Sequence, residues 1–372
     1  MKEIVITGGH LTPALSLIEN LKEKKEIRLY FLGRKYSTEG SKNLSAEYQI
    51  ISKLNIHFHS ITAGRIQRKF TEFTIPALLK IPVGFIQSFI YLLKKRPNLI
   101  VAFGGYLSFP VVFTGWILGI KSVTHEQSTK PGIANKLNSL FVEKIYLSWP
   151  GTQKYFAKDK SQVIGNLTRQ AIFKKNASDV RIQKFLKTNR KLIFVTGGNQ
   201  GSHFINKLIF KLLPQLSDYQ IIHQVGTANY HGDLDIANKI KYQNYHAIDY
   251  IKEDDIGAAY SRSDLVISRS GANTVWDLAT LAKVAILVPL PISASGEQKA
   301  NAQILEEAGS AIVANQENLN TSNLREKIDY IMGNYPKFQK NAQIFQKTLP
   351  QNANQTLASE IKKLIGTKTQ DG

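Results

Sequence analysis

The 372-residue chain contains no cysteine, which excludes disulfides, thiolate metal sites and cysteine nucleophiles and suits a reducing compartment. It is also poor in acid. Only 28 Asp and Glu stand against 48 Lys and Arg, a formal net charge of +20. A surface of this sign attracts anionic lipids, nucleic acids or phosphorylated ligands. The excess is uneven, with 23 basic and 10 acidic residues among the first 160. No signal-peptide pattern precedes the first apolar run, and Met1-Lys2-Glu3-Ile4 enters a strand directly. One uncharged stretch, 97–120, has the length of a bilayer span. Gly104-Gly105, Ser108 and Pro110 divide it into a strand, a turn and a helix of about ten residues, so it reads as buried globular structure.

What is present is a globular composition, 43% hydrophobic and 20% charged, with regular alternation of strand-like and helix-like runs. Strands are expected at 4–7, 28–32, 99–103, 122–125 and 145–148. A second series is expected at 192–195, 220–225, 246–250, 265–268, 285–288 and 311–313. The first helix should be capped by Thr12, with Pro13 at its first position. This pattern predicts an α/β protein of two Rossmann-like domains facing a cleft, residues 1–164 and 165–350. A last helix, about 351–366, has no strand after it and is expected to pack back on the first domain.

Three glycine turns follow strands: Thr7-Gly8-Gly9-His10, Gly104-Gly105-Tyr106, and Gly197-Gly198-Asn199-Gln200-Gly201-Ser202. Glycine lets backbone approach a ligand, and the helix behind offers N–H groups and a positive dipole end, so a nucleotide diphosphate is the expected guest. His10 fits either a general base or a residue that only orders its loop. Glu126, in His125-Glu126-Gln127-Ser128, fits a proton acceptor, a hydroxyl ligand or a structural loop acid. Arg169 suits a phosphate. Asp277, on the helix after Arg269-Ser270-Gly271, suits ribose hydroxyls, and Gln298 supplies an amide. Asp233-Leu234-Asp235 resembles a metal-binding pair but reads as a helix cap, and no cluster has metal-ligand spacing. Residues 65–96 join Arg65, Arg68, Lys69, Lys80, Lys94, Lys95 and Arg96 to an apolar stretch. Pro76 and Pro82 break that stretch into short exposed pieces, the pattern of contact with an anionic bilayer. An amphipathic helix facing the core is the plainer alternative.

Together these motifs resemble the MurG family of peptidoglycan glycosyltransferases, from Thr7 to about Ala314. The resemblance is carried by Gly104-Gly105-Tyr106 with Pro110, His125-Glu126-Gln127 with Pro131-Gly132 and Asn135, and Gly165-Asn166 with Arg169. Gly197-Gly198 with Gln200-Gly201, Gly271-Ala272 with Thr274-Val275, and Pro289-Leu290-Pro291 complete it. It implies a glycosyltransferase B fold and inverting transfer of N-acetylglucosamine from UDP-GlcNAc. The acceptor would be the 4-hydroxyl of lipid-linked muramoyl-pentapeptide, undecaprenyl-diphospho-linked, at the cytoplasmic face of the cell membrane, with no metal or other cofactor. By position, Thr7, Gly8 and Gly9 would line the acceptor-facing side of the donor site. Gly104, Tyr106, Ser128 and Asn135 would also touch substrate. Arg169, Asn199 and Gln200 would hold the pyrophosphate and Ile251 the uracil. Ala272, Asn273, Thr274, Val275, Asp277 and Gln298 would hold the nucleoside and sugar, with His10 the base and Glu126 its competitor. Ser128 stands where the family usually has asparagine, Asn199 for serine, Asp277 for glutamate and Glu297 for glutamine. The other readings are a transferase acting on another lipid, a UDP-GlcNAc 2-epimerase, and a non-catalytic basic protein. No aromatic stacking motif or recognition helix supports nucleic acid as partner.

Overall fold

The computed structural model describes residues 1–36, 44–62, 64, 74–293 and 296–366. The chain divides into two compact units, Met1–Arg169 with Pro350–Gly372, and Gln170–Leu349. In the first unit the strands are β1 (Lys2–Thr7), β2 (Ile27–Gly33), β3 (His57–Ser60), β4 (Leu99–Ala102), β5 (Ser122–Glu126), β6 (Lys144–Leu147) and β7 (Ser161–Val163). They lie in the order β3-β2-β1-β4-β5-β6-β7, every pairing parallel. Central strands read as unbroken apolar runs because both faces are covered, and Ile4-Val5-Ile6 and Leu99–Ala102 are fully buried. The order turns back between β1 and β4. Such a switch point opens a crevice beyond the carboxyl ends of the strands.

The first unit's helices are α1 (Leu11–Leu21), α2 (Ala46–Ile51), α3 (Thr74–Lys95), α4 (Ser108–Ile117) and α5 (Ile133–Asn138). Two expectations are corrected here. Helix α1 starts at Leu11 with His10, not Thr12, as its N-cap residue, and the His10 side chain caps nothing. Helix α3 is continuous across Pro82 rather than broken into pieces. Pro76 falls in its first turn, where the missing N–H has no partner to lose. Pro82 costs about 3 kcal/mol in a helix interior. Packing offsets that cost, since Leu92 is fully buried and the Phe85 ring meets Phe109 and Phe113 edge-on at 5.8 and 5.6 Å. Of the residues read as a bilayer contact, 65–73 lie outside the described part. Among the described residues, no helix is long and apolar enough to cross a membrane.

The second unit holds α6 (Val180–Leu186), β8 (Lys191–Thr196), α7 (His203–Leu212), β9 (Tyr219–Gln224), α8 (Asp233–Lys239), β10 (Tyr245–Ile248) and α9 (Glu253–Arg262). It continues with β11 (Leu265–Ser268), α10 (Ala272–Thr280), β12 (Val284–Leu287), α11 (Glu297–Glu307), β13 (Ala311–Val313), α12 (Thr321–Gly333) and α13 (Tyr335–Thr348). Its parallel sheet runs β10-β9-β8-β11-β12-β13, with the switch point between β8 and β11.

The last helix, α14 (Ala353–Ile365), returns to the first unit. Leu357, Ile361 and Ile365 share one buried cluster with Leu17, Ile18 and Leu21 of α1. Each such side chain contributes about 1.5–3 kcal/mol when buried. Asn354 fixes the register, accepting from Thr168 N–H at 3.1 Å and donating to Thr168 O at 2.7 Å.

Candidate active site

In the first unit the switch point is built from two glycine turns laid against each other. Phe103 N–H donates to Thr7 O at 2.8 Å and Gly9 N–H to Gly104 O at 2.9 Å. A Cβ on Gly8 would stand 2.9 Å from the Phe103 backbone, and one on Gly105 would stand 2.7 Å from Gly9 N. Both residues also have positive φ, +140° and +77°, so only glycine permits this closure. Thr7 is buried, and its Oγ1 has no hydrogen-bond partner among the described residues. Tyr106 is half-buried, with its hydroxyl 3.5 Å from the Arg34 guanidinium that donates to it.

His10 stands at the mouth of this crevice, partly exposed. Desolvation by the surrounding protein lowers its pKa to about 4. The ring is therefore neutral at physiological pH and able to accept a proton. Among the described residues its ring makes no hydrogen bond. His125, on β5, is buried and also pushed down to about 4, because burial outweighs the opposing effect of its bond to Gly165 O. Its Nε2 lies 3.1 Å from Gly165 O, a pure acceptor, so Nε2 carries the hydrogen.

Glu126 differs. Its carboxylate is buried and accepts from Ser128 N–H at 2.9 Å, Gly132 N–H at 3.1 Å and the Asn135 amide at 2.9 Å. Asn135, also buried, donates further to His125 O at 3.2 Å and accepts from Thr124 Oγ1 at 2.8 Å. It lies beneath Gly104, where a Cβ would approach its amide nitrogen to 2.9 Å. Ser128 is buried, its carbonyl accepting from Thr152 Oγ1 at 3.1 Å. Thus Glu126, Ser128 and Asn135 form the floor of the loop after β5. Arg169, half-buried, is the last residue of the first unit's main segment.

The second unit's crevice is flanked by the turns after β8 and β11. Gly198 N–H donates to Thr196 Oγ1 at 3.0 Å, and Ser202 Oγ caps α7 by accepting from Ile205 N–H at 3.5 Å. Asn199 and Gln200 are exposed at the tip. Helix α10 opens at Gly271 without a side-chain cap. Asn273 and Thr274 are half-exposed, Ala272 and Asp277 are buried, and Val275 is enclosed with its N–H bonded to Gly271 O at 3.0 Å. The Gln298 Oε1 accepts from Leu290 N–H at 2.9 Å, and its carbonyl accepts from Ser270 Oγ at 2.8 Å. Gln298 thereby braces the turns after β11 and β12.

Two features escaped the sequence reading. Gln224, at the end of β9, donates to Thr196 Oγ1 at 3.2 Å and Gly198 O at 3.0 Å and accepts from Ile251 N–H at 3.1 Å. It joins the glycine loop to the residue expected against uracil. Asp233 is a correction: the N-cap residue of α8 is Gly232, and Asp233 is buried instead. It receives His203 Nδ1 at 2.8 Å and the Asn206 amide at 2.8 Å, and Asn206 in turn accepts from buried His223 at 3.0 Å. These partners lie about 17 to 30 residues apart in sequence, beyond any local pattern.

The model of the glycosyltransferase family 28 N-terminal domain matches residues 6–147, and that of the C-terminal domain matches residues 192–357. One relative is the UDP-N-acetylglucosamine--N-acetylmuramyl-(pentapeptide) pyrophosphoryl-undecaprenol N-acetylglucosamine transferase of Clostridium perfringens (strain SM101 / Type A). It is 35% identical over 344 residues, 90% of this chain and 92% of its own length. The chain belongs to glycosyltransferase family 28. Among solved structures, Acinetobacter baumannii MurG superposes on this family-28 chain with a TM-score of 0.73 at 24% identity, covering 98% of this chain and 100% of its own. The UDP-GlcNAc 2-epimerase of Neisseria meningitidis bound to UDP-GlcNAc gives 0.65 at 15% identity, covering 98% and 100%. Both likenesses show the fold, that of MurG, the glycosyltransferase B arrangement of two Rossmann-like units.

Proposed function

We propose that this chain transfers N-acetylglucosamine from UDP-GlcNAc to the 4-hydroxyl of an undecaprenyl-diphospho-muramoyl-pentapeptide, with inversion at the anomeric carbon. The observation that carries the reading is the 35% identity, across 90% of the chain, to a relative named for that transfer. In this reading His10 takes the proton of the acceptor hydroxyl. The hydroxyl oxygen bonds to the anomeric carbon, and the bond from that carbon to the diphosphate oxygen breaks, its electron pair leaving with UDP. The transition state is oxocarbenium-like, as in glycoside hydrolysis. The leaving diphosphate gains charge, which in this reading the N–H groups of Asn199, Gln200 and the N-terminus of α7, with Arg169, would stabilise.

His10 is favoured over Glu126 because its ring is partly exposed and makes no hydrogen bond among the described residues. The Glu126 oxygens are committed to Ser128, Gly132 and Asn135. Ile251, Gln224, Asn273, Thr274, Asp277 and Gln298 form the nucleoside side of the donor site.

The lipid-linked acceptor calls for a membrane surface, and we assign that surface to α3 and the end of α4. Val83, Ile86, Ile90 and Leu93 form one exposed stripe at helical spacing, continued by Trp116 and Ile117. Ile86 is 59% and Trp116 54% exposed, unusual for side chains of this size grouped on one face. Lys80, Lys94 and Lys95 rim the stripe, the arrangement of a peripheral protein on an anionic bilayer. Incubation with labelled UDP-GlcNAc and the lipid-linked acceptor tests the function. A β-linked disaccharide on the lipid supports it, whereas conversion of the donor to its 2-epimer without transfer overturns it.

A further inference from the structure

At the edge of the first unit's sheet opposite the glycine turns, a cavity of about 420 Å³ opens where β1, β4 and β5 begin. Its cationic lining is Lys2, Arg96 and Lys121, and Leu364 and Ile365 of α14 form an apolar wall. No carboxylate lines it among the described residues. The neighbouring acid, Glu3, is engaged elsewhere, accepting from the Tyr30 hydroxyl at 2.8 Å and pairing with Arg28 at 3.8 Å.

Arg96 is held here at a cost. It follows α3, its N–H donating to Leu92 O at 2.8 Å, and its φ of +46° is left-handed. Pro97 opposes any continuation of the helix, so the chain must turn at this residue. Glycine is the usual occupant of such a position, because a side chain there is strained. The guanidinium donates to Leu118 O at 3.4 Å, its one hydrogen bond among the described residues, and its other donors remain for a ligand.

The cavity also adjoins the apolar surface. Ile90 and Leu93 lie in the last turns of α3, and Trp116 and Ile117 end α4, immediately before the lining residues Leu118 and Gly119. Apolar side chains beside a recess of three cations match the boundary between acyl chains and phosphates. We infer that this cavity binds the phosphate of an anionic phospholipid headgroup, with Lys2, Arg96 and Lys121 as its ligands. The inference rests on the membrane reading of α3 and α4 and adds a defined headgroup site to it.

The test is binding of the full chain to phosphatidylcholine vesicles with and without phosphatidylglycerol, at one ionic strength. Three variants are compared with wild type. The first combines Lys2→Ser, Arg96→Gly and Lys121→Ser; the Arg96→Gly change relieves the left-handed strain, so folding is retained. The second removes equal charge from the same edge of the sheet, outside the cavity, as Lys22→Ser, Lys24→Ser and Lys25→Ser. The third is Ile90→Ser with Trp116→Ser. The cavity variant should lose on the order of a hundredfold in affinity for phosphatidylglycerol vesicles. It should keep wild-type binding to phosphatidylcholine and wild-type transfer to acceptor in detergent. The second variant should lose severalfold at most, and the third should lose binding to both vesicle types. Equal losses in the first two variants overturn the headgroup site while leaving the membrane reading intact. Wild-type protein that binds neither vesicle overturns both.

Discussion

Asn135 donates its side-chain amide to the Glu126 carboxylate at 2.9 Å. That bond, with those from Ser128 and Gly132, makes a candidate base into the anchor of a loop. Asn135→Ala should therefore cost about 2–4 kcal/mol, since it strips a donor from a buried carboxylate and removes the amide that His125 O accepts from. Denaturant melts of the variant check this. Glu126→Gln should lose stability and turnover together, with the shape of the pH–rate profile unchanged. Loss of the acid limb at wild-type stability would instead make Glu126 the base.

His10 gives a kinetic prediction. Its pKa is lowered to about 4, so the base form persists well below the usual histidine range. In the free enzyme kcat/KM should stay level as pH falls through 6.5 and decline only as pH approaches 4. An acid limb centred near 6.5 would contradict the desolvated site.

Buried histidines also predict how stability depends on pH. His125 titrates at about 4 and His223 at about 3, both because burial penalises the charged ring. The unfolded chain binds those protons near 6.5, so it holds more protons than the folded state in the interval below. Stability is full above about 7 and is lost as pH falls through 6.5 toward 4. Each group removes on the order of 3 kcal/mol by the bottom of that window. Urea titrations at pH 7.5, 6 and 5 measure it. The His223→Gln variant should flatten the slope, and an unchanged slope would contradict this assignment.

The glycine closure is a fourth test. Gly105→Ala places a methyl 2.7 Å from Gly9 N at positive φ and should cost about 2 kcal/mol or more, with loss of activity. Gly119 also has positive φ but nothing within 4 Å of its Cβ, so Gly119→Ala should cost about 1 kcal/mol and spare activity. Thermal melts with parallel assays compare the two.

Much of this architecture is legible in the residues. Runs such as Ile4-Val5-Ile6 and Val284–Leu287 announce buried parallel strands, and the glycine turns announce where those strands end. Strands β3, His-Phe-His-Ser, and β7, Ser-Gln-Val, escape because sheet edges need no apolar run. Pro82 misleads because packing on α4 outweighs a local preference. Likewise, nothing near Asp233 foretells His203 and Asn206, and nothing near Gln224 foretells Ile251. Such contacts exist only once the sheet has brought distant loop ends together. The division of labour between His10 and Glu126 is three-dimensional in the same way, set by which side chain the loop consumes.

In the proposed reaction the His10 ring, at the mouth of the first crevice, takes up a proton during sugar transfer. The most direct measurement is turnover by the His10→Ala and wild-type enzymes with saturating UDP-GlcNAc and lipid-linked muramoyl-pentapeptide. The prediction is a fall in kcat of about 10²–10⁴-fold, with donor KM changed by less than about threefold and stability preserved. Near-wild-type turnover in that variant would contradict the account.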